Sequence, residues 1–80
     1  MRVVYDVRAE ADLLALEPTA AIEILDRMDR FAVDGRGFVR RMLDQTGVWR
    51  LYVDEYLVTF RLLDEEMRVM SVERRPPRAR

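Results

Sequence analysis

The sequence predicts an α+β domain: an N-terminal strand, a two-helix hairpin, then an antiparallel three-strand meander. Three observations carry that reading. Arg2 to Val7 alternates, with Val3, Tyr5 and Val7 on one side, as a half-buried strand does. Residues 19–32 instead repeat apolar side chains every three or four positions, the period of a helix lying on a core. From Val48 to Arg75 (VWRLYVDEYLVTFRLLDEEMRVMSVERR), three runs of β-branched and aromatic residues are split by the acidic turns Asp54-Glu55 and Asp64-Glu65-Glu66. Gaps that short join antiparallel neighbours.

Taken in order, the first helix is expected over Ala9–Leu16, on good helix formers, with Pro18 ending it. Thr19 is the expected N-cap of the second helix. Its apolar stripe is Ala21, Ile24, Leu25, Met28, Phe31 and Ala32, and Glu23–Arg27 and Asp26–Arg30 are favourable i,i+4 pairs. Gly35 is placed to end it in the left-handed conformation. Residues 36–47 read as an extended connection with room for a short strand, a single helical turn being the other reading. In the central run, Tyr56, Val58, Phe60 and Leu62 face one way, toward the second helix; Leu57, Thr59 and Arg61 face the other. Residues 1–75 form one domain, and 76–80 form a short basic tail whose Pro76-Pro77 pair takes it out of the sheet.

Composition removes several kinds of chemistry. Cysteine, histidine and lysine are absent, and all fourteen basic residues are arginine. Disulfides, thiolate nucleophiles, histidine acid–base catalysis and zinc sites of the usual type are therefore excluded. No metal or cofactor is expected; the Asp64-Glu65-Glu66 carboxylates read as a solvated hairpin tip. No apolar run approaches the ~18 residues of a membrane helix, and no signal-peptide pattern is seen, so the expected location is cytoplasmic, with no membrane partner. The net charge of −1 hides an asymmetry. Residues 1–35 carry four arginines against eight carboxylates, and residues 36–80 carry ten against seven. An acidic helical half thus meets a basic sheet half.

The same C-terminal stretch resembles the RelE/ParE superfamily of toxins from bacterial toxin–antitoxin pairs. Trp49-Arg50 is similar to the family's opening aromatic-basic pair, and Val53-Asp54-Glu55-Tyr56-Leu57-Val58-Thr59-Phe60-Arg61 to its V-G-D-Y-R-V-x-Y-R segment. Val72-Glu73-Arg74-Arg75 falls where the family has V-G-H-R. The resemblance implies the same fold, a cognate antitoxin as protein partner, and growth inhibition either by ribosome-dependent mRNA cleavage or by inhibition of DNA gyrase. No small-molecule substrate is expected. A RelE/ParE-fold module that binds protein without catalysis is the alternative. The sequence departs from the family pattern at Leu57, where many relatives carry arginine, and at Tyr52, which replaces a basic residue.

On the face turned away from the helices, alternation gathers Arg50, Tyr52, Leu57, Thr59 and Arg61, with Arg74 and Arg75 reaching its end. Guanidinium groups offer forked hydrogen-bond donors to phosphate. The resemblance implies a catalytic set of Arg50, Tyr52 and Arg75, with Tyr52 stacking on a base or moving a proton. RNA or partner binding falls to Arg61, Arg74, Arg78, Arg40 and Arg41. The other reading of these arginines is a solvated face held by salt bridges to Glu55, Glu65 and Glu66.

Overall fold

The computed structural model describes residues 1–75; the basic tail, 76–80, and with it Arg78, lies outside the described residues. Strand β1 (Arg2–Tyr5) ends earlier than its alternation suggests, because Asp6, still extended, caps helix α1 (Val7–Leu14). Val7 therefore sits on the helix and is exposed. The second helix starts at Pro18, as expected of Pro18-Thr19, while α1 has already ended at Leu14: α2 spans Pro18–Asp34 with Glu17 as N-cap and proline in the first turn, where its missing N–H costs nothing. Thr19 is thus inside the helix and not its cap. Gly35 ends α2 as expected, at φ 72°, donating its N–H to the Phe31 carbonyl at 2.9 Å.

Residues 36–47 contain a strand. After β2 (Phe38–Arg41) come β3 (Val48–Val53), β4 (Tyr56–Leu63) and β5 (Glu66–Arg74). The meander therefore has four strands. The sheet order is β1-β5-β4-β3-β2, every pair antiparallel except β1–β5, which is parallel with Arg2 opposite Glu66 and Tyr5 opposite Val69. Two-residue turns, Asp54-Glu55 and Asp64-Glu65, join β3 to β4 and β4 to β5; each aspartate takes positive φ, which its short polar side chain tolerates. Glu66 is the first residue of β5 and not part of the turn.

Both helices lie on one face of the sheet. Ile24 and Met28 of α2 and Ala9 of α1 pack into a core with Leu51, Val53, Val58, Phe60, Met67, Val69 and Val72. Phe31 meets Phe60 with ring centroids 5.5 Å apart. Tyr56 and Leu62 pack at the margin, so the β4 face pointing at α2 is the one alternation gives. Leu25 is a correction: it is 37% exposed on the flank of the helix, and Phe31 takes the place against Phe60.

A bulge in β5 decides which residues reach the other face. Thr59 pairs with Ser71 but Phe60 with Val69, leaving Met70 as the extra residue. Before it the odd positions Met67 and Val69 face the core; after it the even positions Val72 and Arg74 do. Past the end of β1 the Val72 N–H has no strand partner, and the Asp12 carboxylate of α1 accepts it at 2.9 Å. That bond ties α1 to the sheet. Among the described residues, no helix is long and apolar enough to cross a membrane.

Candidate functional site

The face opposite the helices is uncovered. Phe38 and Arg40 of β2, Arg50 and Tyr52 of β3, Leu57, Thr59 and Arg61 of β4, and Ser71 of β5 share it, by the register that places Leu51, Val53, Val58 and Phe60 in the core. Arg40 lies directly opposite Arg50, and Arg50 opposite Thr59, which in turn faces Ser71. Tyr52 lies between Phe38 and Leu57.

Arginines on the helices are neutralised, and on this face Arg2 and Arg68 of the β1–β5 side are held by Glu66, but those of β2, β3 and β4 are not. Arg8, Arg27 and Arg30 pair with Asp12, Glu23 and Asp26 one turn away. Among the described residues, Arg40, Arg50, Arg61 and Arg75 form no ion pair. Arg50 is half-buried, and its Nε is buried without a hydrogen-bond partner. Placing Arg40 across from Arg50, and Arg61 across from Arg68, sets like charges side by side, a destabilising arrangement in a sheet. The expected salt bridges to Glu55, Glu65 and Glu66 are not made by Arg50, Arg61 or Arg75. Arg74 holds Glu55, and Arg2 and Arg68 both hold Glu66. Hydrogen bonds from Arg2 and then Arg68 keep the Glu66 carboxyl below its usual range.

Arg75 does reach the open face. Its N–H donates to the Glu55 carbonyl at 2.6 Å and its Nη1 to the Asp54 carbonyl at 3.1 Å, which bends it over the β3–β4 turn. The guanidinium then lies 4.9 Å from the Tyr52 ring centroid, a cation–π contact. Arg74 does not join it. The Met70 bulge turns Arg74 to the helix side, where it lies over Tyr56 and pairs with Glu55. Arg41, opposite Trp49, also lies on the helix side of the edge strand.

With the geometry in place, the chain can be set beside known proteins. No protein-family model matches the sequence, and no curated protein matches it. Solved structures do. The archaeal RelE–RelB complex from Pyrococcus horikoshii OT3 superposes with a TM-score of 0.78 at 15% identity, over 92% of this chain and 93% of that one. The intact E. coli RelBE toxin–antitoxin complex gives 0.77 at 14% identity, covering 96% and 98%. A chromosomal ParDE system from P. aeruginosa gives 0.66 at 20%, covering 95% and 97%. The chain has the RelE/ParE toxin fold.

In this RelE/ParE fold, the open face offers cationic forks, two aromatic rings and the hydroxyls of Tyr52, Thr59 and Ser71. Such a set can grip phosphate and stabilise negative charge on it. A cleft of about 670 Å³ lies on the other side, between the α1–α2 turn and the Asp54-Glu55 turn. Its rim carries Glu17, Glu23 and Glu55, and the arginine on it, Arg74, is already paired. Its unbalanced charge is negative, from Glu17 and Asp54, the opposite of the open face. One member of the open face escapes sequence reasoning: Phe38, whose ring stands perpendicular to Tyr52 at 5.4 Å and is 68% exposed. The alternation of Phe38 with Arg40 is its only signal, too short to be read before β2 is known.

Proposed function

We propose that this chain is the toxin of a toxin–antitoxin pair, acting in the cytoplasm through the open face of its sheet and neutralised by a cognate protein antitoxin. The observation that supports this is the concentration of unpaired arginines on the uncovered face of a RelE/ParE fold: of the five without an ion pair among the described residues, Arg40, Arg50, Arg61 and Arg75 lie there, and Arg41 lies on the helix side. A protein keeps like charges side by side at a cost to its own stability when a polyanion is to be bound there. Messenger RNA on the ribosome is the target this arrangement suits best. In a cleavage reaction Arg50 and Arg75 would stabilise charge on the phosphate, and Tyr52, whose ring lies under Arg75, would supply a hydroxyl for moving a proton. Arg61 and Arg40 would hold the flanking backbone.

Leu57 supports a second reading, inhibition of DNA gyrase by protein contact, because it puts an apolar, half-buried side chain in the middle of the face, opposite Tyr52. One experiment separates the readings: induction in a bacterial host with and without the adjacent reading frame, with mapping of RNA 5′ ends, for the parent, Arg50→Ala and Arg75→Ala. Cleavage predicts arrest relieved by the neighbour and new ends inside translated messages, reduced about 10²–10³-fold in each variant. Arrest with uncut messages moves the target to gyrase. Absence of arrest ends the toxin reading in favour of a non-catalytic protein-binding module.

A further inference from the structure

Of the two aromatic rings on the open face, Phe38 is the one largely exposed. Tyr52 is half-buried, with the Arg75 guanidinium over its ring and Phe38 standing perpendicular to it. Phe38 lies on the edge strand β2 and exposes two thirds of its area to solvent. Its position is not an accident of a loose edge. Gly37, just before it, runs so close to the core that a Cβ there would stand 2.7 Å from Leu51 Cδ1 and 3.4 Å from Phe31 Cδ1. The backbone entering β2 is thereby seated against the core, and the Tyr52 contact orients the ring. Along the same side of the same strand the next residue is Arg40, about 7 Å on by the rise of a strand. Arg40 is opposite Arg50.

A fixed, exposed ring one step from a pair of unneutralised guanidiniums is the combination that holds single-stranded nucleic acid: a π-face for a base and cations for its phosphate. We propose that Phe38 is a base-stacking residue, which seats one unpaired base of a single-stranded RNA at the β2 edge while Arg40 and Arg50 take the adjoining phosphate. The inference rests on the RNA reading above and adds to it a residue and a direction. The strand runs from the β2 edge, across Arg50, toward Arg61. Tyr52 and Arg75 then form the wall against which Phe38 is braced. They are not the stacking surface.

The test is equilibrium binding of a short single-stranded RNA carrying one fluorescent adenine analogue, followed by quenching across a salt series. Stacking on an aromatic side chain contributes about 1–3 kcal/mol per base, so Phe38→Ala should weaken binding about 5- to 150-fold and abolish the quenching. Its salt slope should stay that of the parent, since every arginine is still in place to hold phosphate. Phe38→Trp should restore both affinity and quenching. Arg40→Gln should keep the quenching and reduce the salt slope by about 0.7 for each phosphate left without its cation. Thermal melting of Phe38→Ala, expected unchanged for so exposed a side chain, shows that the loss is local. Parent-like affinity and quenching in Phe38→Ala would overturn the proposal, as would failure of Phe38→Trp to rescue a folded Phe38→Ala. Either result leaves growth arrest and its relief by the adjacent gene untouched, so the stacking residue can fall while the toxin reading stands.

Discussion

Tyr5 shows how much a single atom can cost this domain. Its ring packs against the core from β1, but its hydroxyl is buried with no hydrogen-bond partner among the described residues. Burial, and secondarily the charge of Asp29, push that hydroxyl from 10.0 up to about 12. The linkage has a definite sign. At neutral pH both folded and unfolded chains keep the proton, and no stability is lost. As pH rises past 10 the unfolded chain ionises first, so stability drains away up to about 12. Tyr5→Phe should therefore do two things. It should raise stability at neutral pH by about 1 kcal/mol, because a buried unsatisfied group is removed. It should also flatten the alkaline limb of the stability curve. Urea unfolding of parent and variant along an alkaline pH series measures both, and a destabilised Tyr5→Phe would show that the hydroxyl has a partner.

At the scale of elements, α2 meets β4 through one aromatic pair. Phe60 is fully buried and meets Phe31, so Phe60→Ala should cost about 3–5 kcal/mol. Leu25→Ala, on the exposed flank of the same helix, should cost well under that, about 1 kcal/mol or less. Denaturant midpoints of the two variants test the assignment directly, and equal losses would contradict it. The α2 stripe and the β4 alternation are legible in the sequence because each is a regular period meeting a single partner. Leu25 departs from expectation because the stripe in the sequence is wider than the seam: Ile24, Met28, Phe31 and Ala32 pack against the core, and Leu25 lies to one side of that line. Strand β2 is only half legible, since four residues with one buried flank make no pattern until β3 supplies the pairing. The Met70 bulge leaves no trace at all in the sequence. Val72 and Ser71 exchange the places that simple alternation gives them, and the reason lies in the pairing with β4 and in the Asp12 bond to Val72.

For the whole molecule, charge placement sets stability against activity. Alternation is enough to place Arg50, Tyr52 and Arg61 on one face, because β3 and β4 run without a break. It sends Arg74 to the wrong side for want of the bulge, and it cannot show which arginines find carboxylates, since Arg2–Glu66 joins residues 64 positions apart. If the open face is held in repulsion, Arg40→Gln should stabilise the free protein by about 0.2–1 kcal/mol. The gain should shrink as salt screens the face, and the same variant should arrest growth less. Unfolding at low and high salt beside a growth assay checks the trade; a variant less stable at low salt would mean that Arg40 is held by attraction. The parallel pairing of β1 with β5 bears on how the protein comes into being. Helices α1 and α2 and the hairpins between β2 and β5 need only neighbours in the chain, but β1 must wait for Glu66–Val69, roughly 3–13 s later at ordinary rates of synthesis. Until then β1 has no strand to pair with, and the sheet it completes is open on that side. Each chain thus passes those seconds with β1 unpaired, and any message cut before the codon for Glu66 yields a polypeptide that cannot close its own sheet.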